Sequence, residues 1–441
     1  MKHDLRPECA SDYMDPDALR ALQLARLQET VRRCHERVPL FRQRMDKRGL
    51  APDDIHSLDD LARLPFTDKN DLRDTYPYGL FAEPMSNIVR IHASSGTTGK
   101  PIVVGYTRED LGVWSEVMMR SFIMAGMDEH DVLQNAYGYG LFTGGLGAHG
   151  GSERLGSTVI PISGGNSERQ MLVLKDFGVT AICCTPSYFI HLIEHIKETG
   201  VPLSELKLRV GIFGAEPWSD AMRAYIQREA GIRAHDIYGL TEIIGPGVGI
   251  ECREQNGLHI FEDHFLMEIV DPDTGAVLPD GAEGELVITT LTKKAFPMVR
   301  YRTHDITAIM PGRCACGRTL RRIRRIRSRC DDMMIIRGVN VFPSQIEAAL
   351  LSVESTLPHY QIILTRKGGL DQMEVRVEVT KEMFGDRVSE LEAMRKRLAH
   401  AIEHTTGLRI PVILAEPHTI ARSEGKAKRV IDRRAECAEI P

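Results

Sequence analysis

The sequence predicts an α/β fold: a large N-terminal domain with mostly parallel, helix-flanked sheets plus a β-rich subdomain, and a small C-terminal α+β domain. Three observations lead to this prediction. The chain has 441 residues, which at about 150 residues per domain suggests two or three domains. Strand-like and helix-like segments alternate between residues 157 and 238. The pattern then changes to antiparallel strands after Gly257 and to a smaller α+β unit beyond about residue 329.

The central region carries the strand–helix alternation of a parallel sheet. Short apolar runs are separated by amphipathic segments, and Gly200 and Gly231 provide C-terminal stops for two of these helices. Repeated βαβ units place helices on both faces of a twisted sheet. The predicted strands are 157–162, 179–184, 208–213 and 234–238, and the predicted helices are 167–177, 187–199 and 219–230.

The flanking regions have their own patterns. Residues 17–49 carry apolar side chains at helical spacing and predict one or two amphipathic helices. A turn at residues 272–275 joins two predicted antiparallel strands, 265–270 and 284–290. The C-terminal unit predicts a strand at 333–337, a helix at 343–352, a hairpin at 360–380 and a helix at 388–406. We therefore expect two domains, 1–329 and 330–441.

Composition limits the classes of function. The 56 basic and 61 acidic residues give a formal net charge of -5, which argues against a protein whose whole surface binds nucleic acid. The nine cysteines are odd in number and widely spread, unlike the disulfide framework of a small secreted domain. The first 13 residues lack the apolar run of a signal peptide, and no stretch approaches the ~18 apolar residues of a membrane span. We expect a cytoplasmic protein with reduced thiols and with no membrane or nucleic-acid partner.

Residues 94–101 are the most informative stretch. Two glycines allow a tight turn that presents backbone N–H groups, four hydroxyls add donors and a lysine adds a positive charge, as in a polyphosphate-binding loop. The stretch is not a Walker A loop, because only two residues separate its glycines and no Ser or Thr follows the lysine. A Ser/Thr/Gly-rich surface turn is the alternative. The candidate phosphate-binding residues are Ser94, Ser95, Gly96, Thr97, Thr98, Gly99 and Lys100.

Together with two other segments, this loop resembles the motif set of the adenylate-forming ligases. The other two are YGLTE at residues 238–242 and YRTHD at 301–305. Four more segments look like the phenylacetate–CoA ligase branch of that superfamily: YGYGLF at 137–142, FGAEP at 213–217, RGVNVFP at 337–343 and RSEGK at 422–426. The resemblance runs in order from about residue 20 to 435, so it is far more specific than a single loop.

This resemblance implies an ATP-dependent aryl-acid–CoA ligase, with phenylacetate or a close analogue as the acid. The carboxylate attacks the α-phosphorus of ATP and releases pyrophosphate, and the thiol of CoA then attacks the acyl-adenylate. Both first reactants are anions, so cations and N–H dipoles must offset their repulsion. ATP, CoA and Mg²⁺ are the implied small-molecule partners. The resemblance leaves open whether the protein is a homodimer.

The resemblance also implies a catalytic set. Lys426 would neutralise the acyl and phosphate oxygens during adenylation, and Lys100 would contribute a second positive charge. Glu242 would hold Mg²⁺ on the phosphates, and Thr241 would contact the α-phosphate. Taken singly, each could be an ordinary solvated or loop residue; their joint occurrence in the family's order favours the functional interpretation.

Further residues are assigned to the nucleotide by the same resemblance. Tyr238 would stack on adenine, and Asp305 would accept hydrogen bonds from the ribose hydroxyls beside Arg329. The alternatives are a core aromatic residue and an ordinary loop carboxylate. The other implied nucleotide-binding residues are Ala215, Glu216, Pro217, Asp236, Ile237 and Gly239.

The acid and the acceptor have implied sites as well. Tyr137, Phe142 and Gly214 would form the aryl-acid pocket, and the glycines at 138, 140, 144, 145 and 147 would let a flat ring approach the backbone. The alternative is a glycine-rich loop with two core aromatic residues. A hinge is implied at Asp331, and a channel for CoA is implied at Gly338 and Asn340. The sequence departs from the branch at Ser328 and Cys330, where Gly and Ser are usual, and His304 stands where the wider superfamily has Gly.

A separate hypothesis concerns zinc. Cys314 and Cys316 form a compact pair, and Cys252 and His259 lie about 60 residues earlier in a β region. Three thiolates and an imidazole suit a tetrahedral structural Zn²⁺, although CxC is a weaker signal than CxxC. Some relatives in the branch carry cysteine here and bind zinc. The alternative is four unrelated residues.

Seven arginines between positions 318 and 329 form the one strongly basic run. Their alternation with Leu320, Ile323 and Ile326 favours half-buried strands with solvated arginines. Attraction of the CoA 3′-phosphate is the second interpretation and nucleic acid a distant third. Two other functions stay open: transfer of the adenylate to a carrier protein or another acceptor, and a catalytically silent nucleotide-binding scaffold.

Overall fold

The strands of the central region form part of one large sheet. The structure is a computed structural model that describes residues 6–94, 101–326, 328–332, 334–336, 339–353, 356–367, 370–379, 388–422 and 427–434. Its internal contacts divide the chain into two compact units. The first unit comprises Met1–Cys184, Ser204–Ala215 and Ile232–Ile326, and the second comprises Thr185–Leu203, Glu216–Gly231 and Arg327–Pro441. The domains 1–329 and 330–441 remain a prediction.

The first unit contains the helices that precede and flank this sheet. Residues 17–49 form two helices rather than one, because Pro39 begins a second helix after the break at Val38. The helices are α1 (Pro16–Arg37), α2 (Pro39–Lys47), α3 (Lys69–Asp74), α4 (Arg108–Ala125), α5 (Thr143–Leu155) and α6 (Ser167–Asp176).

The strands of the first unit fall into three groups. The hairpin is β1 (Arg90–Ala93) and β2 (Val103–Tyr106). The large sheet contains β3 (Val132–Asn135), β4 (Thr158–Ile160), β5 (Ala181–Cys184), β6 (Val210–Gly214), β7 (Arg233–Leu240), β8 (Gly245–Glu251), β9 (Leu258–Ile260), β13 (Ile309–Met310) and β14 (Arg322–Ile323). An antiparallel group contains β10 (Phe265–Val270), β11 (Gly284–Thr290) and β12 (Tyr301–Thr307).

The large sheet is mixed. Its order is β13-β14-β9-β8-β7-β6-β5-β3-β4. The five strands from β4 to β7 are parallel, which confirms the predicted parallel region, and the sheet continues from β8 through antiparallel pairs. β7 is therefore the last parallel strand, and the turn after it leads directly into the antiparallel half.

The second unit contains two helices from the middle of the chain and the C-terminal α+β region. The helix predicted at 388–406 is found with those bounds, and Met394, Leu398 and Ile402 are fully buried. The sheet of this unit has the order β20-β19-β18-β21. The elements are α7 (Pro186–Glu198), α8 (Asp220–Ala230), β15 (Ser328–Arg329), β16 (Met334–Ile336), β17 (Val339–Val341), α9 (Pro343–Leu351), β18 (Thr356–Lys367), β19 (Leu370–Val379), α10 (Val388–Thr406), β20 (Val412–Ala415) and β21 (Val430–Asp432).

Two negative findings concern the described part of the chain. None of its helices is long and apolar enough to cross a bilayer. None of its eight cysteines forms a disulfide bond.

Candidate functional site

The predicted phosphate loop lies at the tip of the hairpin β1–β2. Ala93 pairs with Val103 at the end of the ladder, and beyond it Ser94 and Ile102 close the base of the loop. The Ser94 N–H donates to the Ile102 carbonyl at 2.9 Å, and the Ile102 N–H donates to Ser94 Oγ at 3.0 Å. Five of the predicted phosphate-loop residues and Lys100 lie outside the described residues: Ser95, Gly96, Thr97, Thr98 and Gly99. The loop therefore joins two antiparallel strands, unlike a Walker A loop, which joins a strand to a helix.

Tyr238 and Asp305, which are 67 residues apart, meet in the first unit. The Tyr238 hydroxyl donates to Asp305 Oδ2 at 2.6 Å. Tyr238 is half-buried near the end of β7, and Asp305 is buried on β12, where its N–H donates to Thr303 Oγ1 at 3.1 Å. The two residues that the resemblance assigns to adenine and ribose are thus in direct contact.

Thr241 and Glu242 lie in the turn between β7 and β8. Thr241 Oγ1 is 3.5 Å from Thr143 Oγ1, at the first residue of α5. The Glu242 carboxylate is buried and has no hydrogen bond or ion pair to another described residue. A carboxylate with open lone pairs at this turn is the kind of oxygen ligand that Mg²⁺ takes together with substrate phosphates. These residues fit the metal role that the resemblance implies.

Two stacked aromatic residues donate hydrogen bonds to the backbone that follows Glu242. The Tyr106 hydroxyl donates to the Ile244 carbonyl at 3.0 Å, and Trp114 Nε1 donates to the Pro246 carbonyl at 3.0 Å. The two rings are stacked with centroids 5.0 Å apart and planes within 14°. Sequence reasoning missed both residues, because a Tyr and a Trp at apolar positions carry no motif.

Other predicted nucleotide residues have structural partners. The Asp236 carboxylate accepts from Arg325 Nε at 3.0 Å, and the Asp236 N–H donates to Glu251 Oε2 at 2.9 Å. Ile237 is buried beside it on β7. Ala215 adopts a φ of 69°, a left-handed conformation that is unusual for alanine. The Asp236 side chain is thus engaged in an ion pair in the first unit.

His304 has a backbone conformation that explains the superfamily's glycine at its position. Its φ is 64°, which a glycine adopts without strain. The His304 N–H donates to Glu285 Oε1 at 3.0 Å, and Nδ1 lies 3.4 Å from the same oxygen. A side chain is therefore accommodated here with the help of a local carboxylate.

The aryl-pocket residues are placed unequally. Tyr137 is buried, whereas Phe142 is 51% exposed at the start of α5. Gly214, at the end of β6, is enclosed by the Ile237 backbone. The structure brings Tyr137 close to Gly144, where an added Cβ would lie 3.3 Å from the tyrosine Cβ.

The glycines near this pocket serve different purposes. A Cβ at Gly145 would lie 2.6 Å from the Gly138 carbonyl oxygen, and one at Gly147 would lie 2.6 Å from the Trp114 ring. These two glycines allow close packing within the protein itself. Gly138 and Gly140 have open space where a Cβ would be. Only the latter two fit the expectation that a flat ring approaches the backbone.

The four predicted zinc ligands are brought together in the first unit. The candidate ligand atoms of Cys252, His259, Cys314 and Cys316 all lie within 4.8 Å of one another. The Sγ atoms of Cys252 and Cys314 are 3.7 Å apart, and Cys316 Sγ is 3.4 Å from His259 Nε2. Zn–S bonds of about 2.3 Å in a tetrahedron put two sulfurs about 3.8 Å apart, so the cluster has the size of a zinc site.

The surroundings of the cluster also suit a metal. His259 Nδ1 lies 3.2 Å from the Leu320 carbonyl, and donation there leaves Nε2 free to face the thiols. The hydrogen bond from Cys252 lowers the pKa of the Cys316 thiol, so one thiol of the pair is poised to be a thiolate. The donors, their spacing and the orientation of the imidazole all fit Zn²⁺.

Several predicted residues belong to the second unit. The Glu216 carboxylate accepts from the Ser187 N–H at 2.8 Å and from the Ala427 N–H at 2.9 Å, and Pro217 follows it. Arg329 lies 3.9 Å from Asp332, and Asn340 lies on β17 opposite Ile335. The structure describes the backbone of Asp331 but not its side chain, while Gly338 and Lys426 lie outside the described residues.

The arginine run is not the solvated face that the sequence predicts. Arg318 is 2% exposed and its Nε donates to Asp12 at 3.3 Å. Arg322 is also buried and donates to the Asn256 carbonyl at 2.8 Å. The expectation is wrong for these two residues, which are buried and donate to distant acceptors, whereas Arg324 is exposed.

Comparison with known proteins places this geometry in a family. The profile of AMP-binding enzymes matches residues 42–292, and the profile of the AMP-binding enzyme C-terminal domain matches residues 338–434. This chain belongs to the AMP-binding enzyme family. It has the family's α/β adenylate-forming fold, with a large N-terminal mixed-sheet domain and a small C-terminal domain.

Named relatives cover nearly the whole chain. A phenylacetate-coenzyme A ligase of Thermus thermophilus is 51% identical over 432 residues, covering 95% of this chain and 97% of that protein. One from Escherichia coli is 50% identical over 420 residues, covering 95% of each. The crystal structure of a 2-hydroxyisobutyryl-CoA ligase with an acyl-AMP ligand superposes with a TM-score of 0.91 at 29% identity, covering 97% of this chain and 92% of that one. The predicted resemblance is confirmed.

Proposed function

We propose that this protein is an AMP-forming phenylacetate–CoA ligase. It joins phenylacetate or a close analogue to CoA through an acyl-adenylate, with release of pyrophosphate and AMP. The near full-length likeness to two phenylacetate-coenzyme A ligases carries the proposal. The contact between Tyr238 and Asp305 supports it, because the two residues assigned to adenine and ribose lie side by side.

In the first half-reaction, the described residues hold and orient the nucleotide. Tyr238 would stack on adenine, Asp305 would accept from the ribose, and Thr241 would contact the α-phosphate. Glu242 would hold Mg²⁺, which supplies positive charge to the phosphate oxygens as the carboxylate attacks. Holding the two anions in line offsets the entropy lost on their association, and nearby positive charges and N–H dipoles offset their repulsion.

The remaining roles lie outside the described residues or in the second unit. Lys426 would neutralise the acyl and phosphate oxygens during adenylation, with Lys100 in the phosphate loop as a second cation. Asp331 would serve as a hinge before CoA enters beside Gly338 and Asn340. These assignments follow the resemblance alone.

A structural zinc ion is the second part of the proposal. Cys252, His259, Cys314 and Cys316 would bind it in a tetrahedron, supported by their spacing and by the His259–Leu320 hydrogen bond. The ion would tie the β8–β9 region to the segment after β13, which are otherwise about 60 residues apart in sequence.

The proposed activity is tested by measuring pyrophosphate release over a panel of aryl acids, with and without CoA. We expect phenylacetate or a close analogue to give release that depends on both acid and Mg²⁺, and CoA to accelerate turnover by consuming the adenylate. Acid-dependent release that CoA leaves unchanged would favour a carrier protein or another acceptor. No release with any acid would favour a silent nucleotide-binding scaffold.

A further inference from the structure

One lysine of the first unit is almost completely buried without a hydrogen bond. Lys293 lies in the segment between β11 and β12 and is 4% exposed, and its Nζ has no hydrogen-bond partner among the described residues. Lysines normally keep their amine in water, since burying an unpaired ammonium is costly. Retention of such a group in the core therefore calls for a reason other than stability.

The Lys293 amine contacts an aromatic ring that is hydrogen-bonded to the turn carrying Glu242. Its Nζ is 4.3 Å from the centre of the Tyr106 ring and 5.5 Å from that of Phe296. Tyr106 also stacks on Trp114, and its hydroxyl binds the Ile244 carbonyl, two residues after Glu242. A continuous line of contacts thus runs from the amine through the Tyr106 ring to the metal-binding turn.

The backbone beside Lys293 is held in place. Asp110, buried in the first turn of α4, accepts from the Lys294 N–H at 2.6 Å and from the Ala295 N–H at 3.0 Å. These bonds keep Lys293 next to the ring. Burial lowers the pKa of the Lys293 amine to about 7, and the charges of Asp110 and Glu242 act in the opposite direction.

We propose that Lys293 is a positioning residue for adenylation, which supplies positive charge behind Glu242 and holds the Tyr106 ring against the turn. This role rests on the proposed ligase activity. A polyphosphate beside Glu242 brings several negative charges toward the amine, and in a site shielded from water a nearby cation attracts them more strongly than in bulk. The amine needs no direct contact with the nucleotide to act in this way.

The charge can be removed with little change of shape. In Lys293→Met the unbranched thioether can stay on the face of Tyr106, so the packing is largely preserved. We expect kcat/KM for MgATP in the pyrophosphate-forming step to fall about tenfold or more. Thioester formation from supplied phenylacetyl-adenylate and CoA should stay within about twofold, because no ATP triphosphate binds beside Glu242 in that step. The midpoint of thermal unfolding should stay or rise.

The neighbouring residue is the matched control. Lys294 has a partly exposed side chain that pairs with exposed Glu109, so Lys294→Met should leave both half-reactions and the unfolding midpoint unchanged. Lys293→Gln is a second neutral variant, which should show the same split between half-reactions if Lys293→Met does not fold.

The half-reaction split decides the proposal. An adenylation rate equal to that of the wild type in a folded neutral variant would overturn it, and so would an equal loss of both half-reactions together with a lowered unfolding midpoint. Failure of the ligase proposal is recognised separately, because the wild-type protein itself would then form no acyl-adenylate. That outcome would remove the basis of this inference as well.

Discussion

Tyr238 near the end of β7 donates a 2.6 Å hydrogen bond to Asp305 on β12, and this bond joins the large sheet to the neighbouring antiparallel group. A hydrogen bond to a carboxylate contributes about 1.5–3 kcal/mol. It engages Oδ2 of Asp305, the side chain that the resemblance assigns to the ribose hydroxyls. Under the proposed function, this one pair of residues would orient both the ring for adenine and the acceptor for ribose.

Tyr238→Phe tests this relationship. The ring remains, but the hydroxyl that orients Asp305 is lost, so we expect KM for ATP to rise by about three- to tenfold with little change in kcat. Steady-state kinetics with phenylacetate and CoA at saturation measure the effect. Asp305→Ala should have a larger effect, because it removes the ribose acceptor itself. A Tyr238→Phe enzyme with unchanged KM for ATP would contradict the role of the bond.

Glu242→Gln tests the proposed metal ligand. The amide keeps the shape of the side chain but lacks the charge that binds Mg²⁺, so we expect adenylation to fall by about a hundredfold or more. The Mg²⁺ concentration that gives half-maximal rate should increase as well. The Mg²⁺ dependence of Glu242→Gln is compared with that of Glu251→Gln. Glu251 is also a buried carboxylate, but it accepts a hydrogen bond from the Asp236 N–H. An unchanged Mg²⁺ dependence in Glu242→Gln would exclude the assigned role.

The zinc cluster predicts a defined metal content. Purified protein should contain about one zinc per chain, and Cys314→Ser should reduce this content and lower the unfolding midpoint. Cys34→Ala is the matched control for metal content, since Cys34 is a thiol outside the four-residue cluster. Elemental analysis gives the result directly. Less than half an equivalent of zinc in the wild-type protein would rule out the structural site.

The buried amine of Lys293 predicts a dependence of stability on pH. Its pKa falls from 10.5 when exposed to about 7 in the folded protein, so between these values the unfolded chain binds the additional proton. Burial of the Lys293 ammonium lowers the free energy of unfolding. This loss disappears as the pH rises from 7 to 10.5, because the amine then becomes neutral in the unfolded chain as well.

The groups around Lys293 shape this titration. They include Asp110, Glu242, His92 and the Tyr106 hydroxyl, and burial raises the pKa of that hydroxyl well above its usual value. The difference in unfolding midpoint between Lys293→Met and the wild type should narrow from pH 7 to pH 9.5. A difference that stays constant over this range would show that the amine does not titrate as described.

His304 offers a test of backbone strain. Its φ of 64° suits glycine, but its backbone and ring both interact with Glu285. His304→Gly should change the free energy of unfolding by less than about 1 kcal/mol, because relief of strain offsets loss of the contact between the ring and Glu285. His304→Val should destabilise the protein by more, since β-branched residues disfavour this conformation. Chemical denaturation of both variants measures the difference.

Local patterns in the sequence predicted most of the secondary structure. The helix at 388–406 was predicted with its observed bounds, because its apolar stripe is uninterrupted by Gly or Pro. The parallel strands from β4 to β7 were predicted from short apolar runs that alternate with amphipathic segments. The zinc ligands could be proposed from residue type, but only the fold brings Cys252 next to Cys314.

Residues whose role depends on distant partners could not be predicted. Arg318 was expected to be solvated, and its burial depends on Asp12, about 300 residues earlier. Lys293 lies next to the partly exposed Lys294 in sequence, and its place on the Tyr106 ring distinguishes it only in the folded structure. Gly147, expected to admit a ligand ring, packs on Trp114 instead.

The central claim is tested most directly by identifying the products of one reaction. Purified protein is incubated with phenylacetate, ATP, Mg²⁺ and CoA, and the mixture is resolved by liquid chromatography and mass spectrometry. We expect phenylacetyl-CoA, AMP and pyrophosphate in equal amounts. Omission of the acid should give no product, and omission of CoA should give only the enzyme-bound adenylate with the matching amount of pyrophosphate. Absence of phenylacetyl-CoA, or formation of ADP and phosphate in place of AMP and pyrophosphate, would contradict the proposed function.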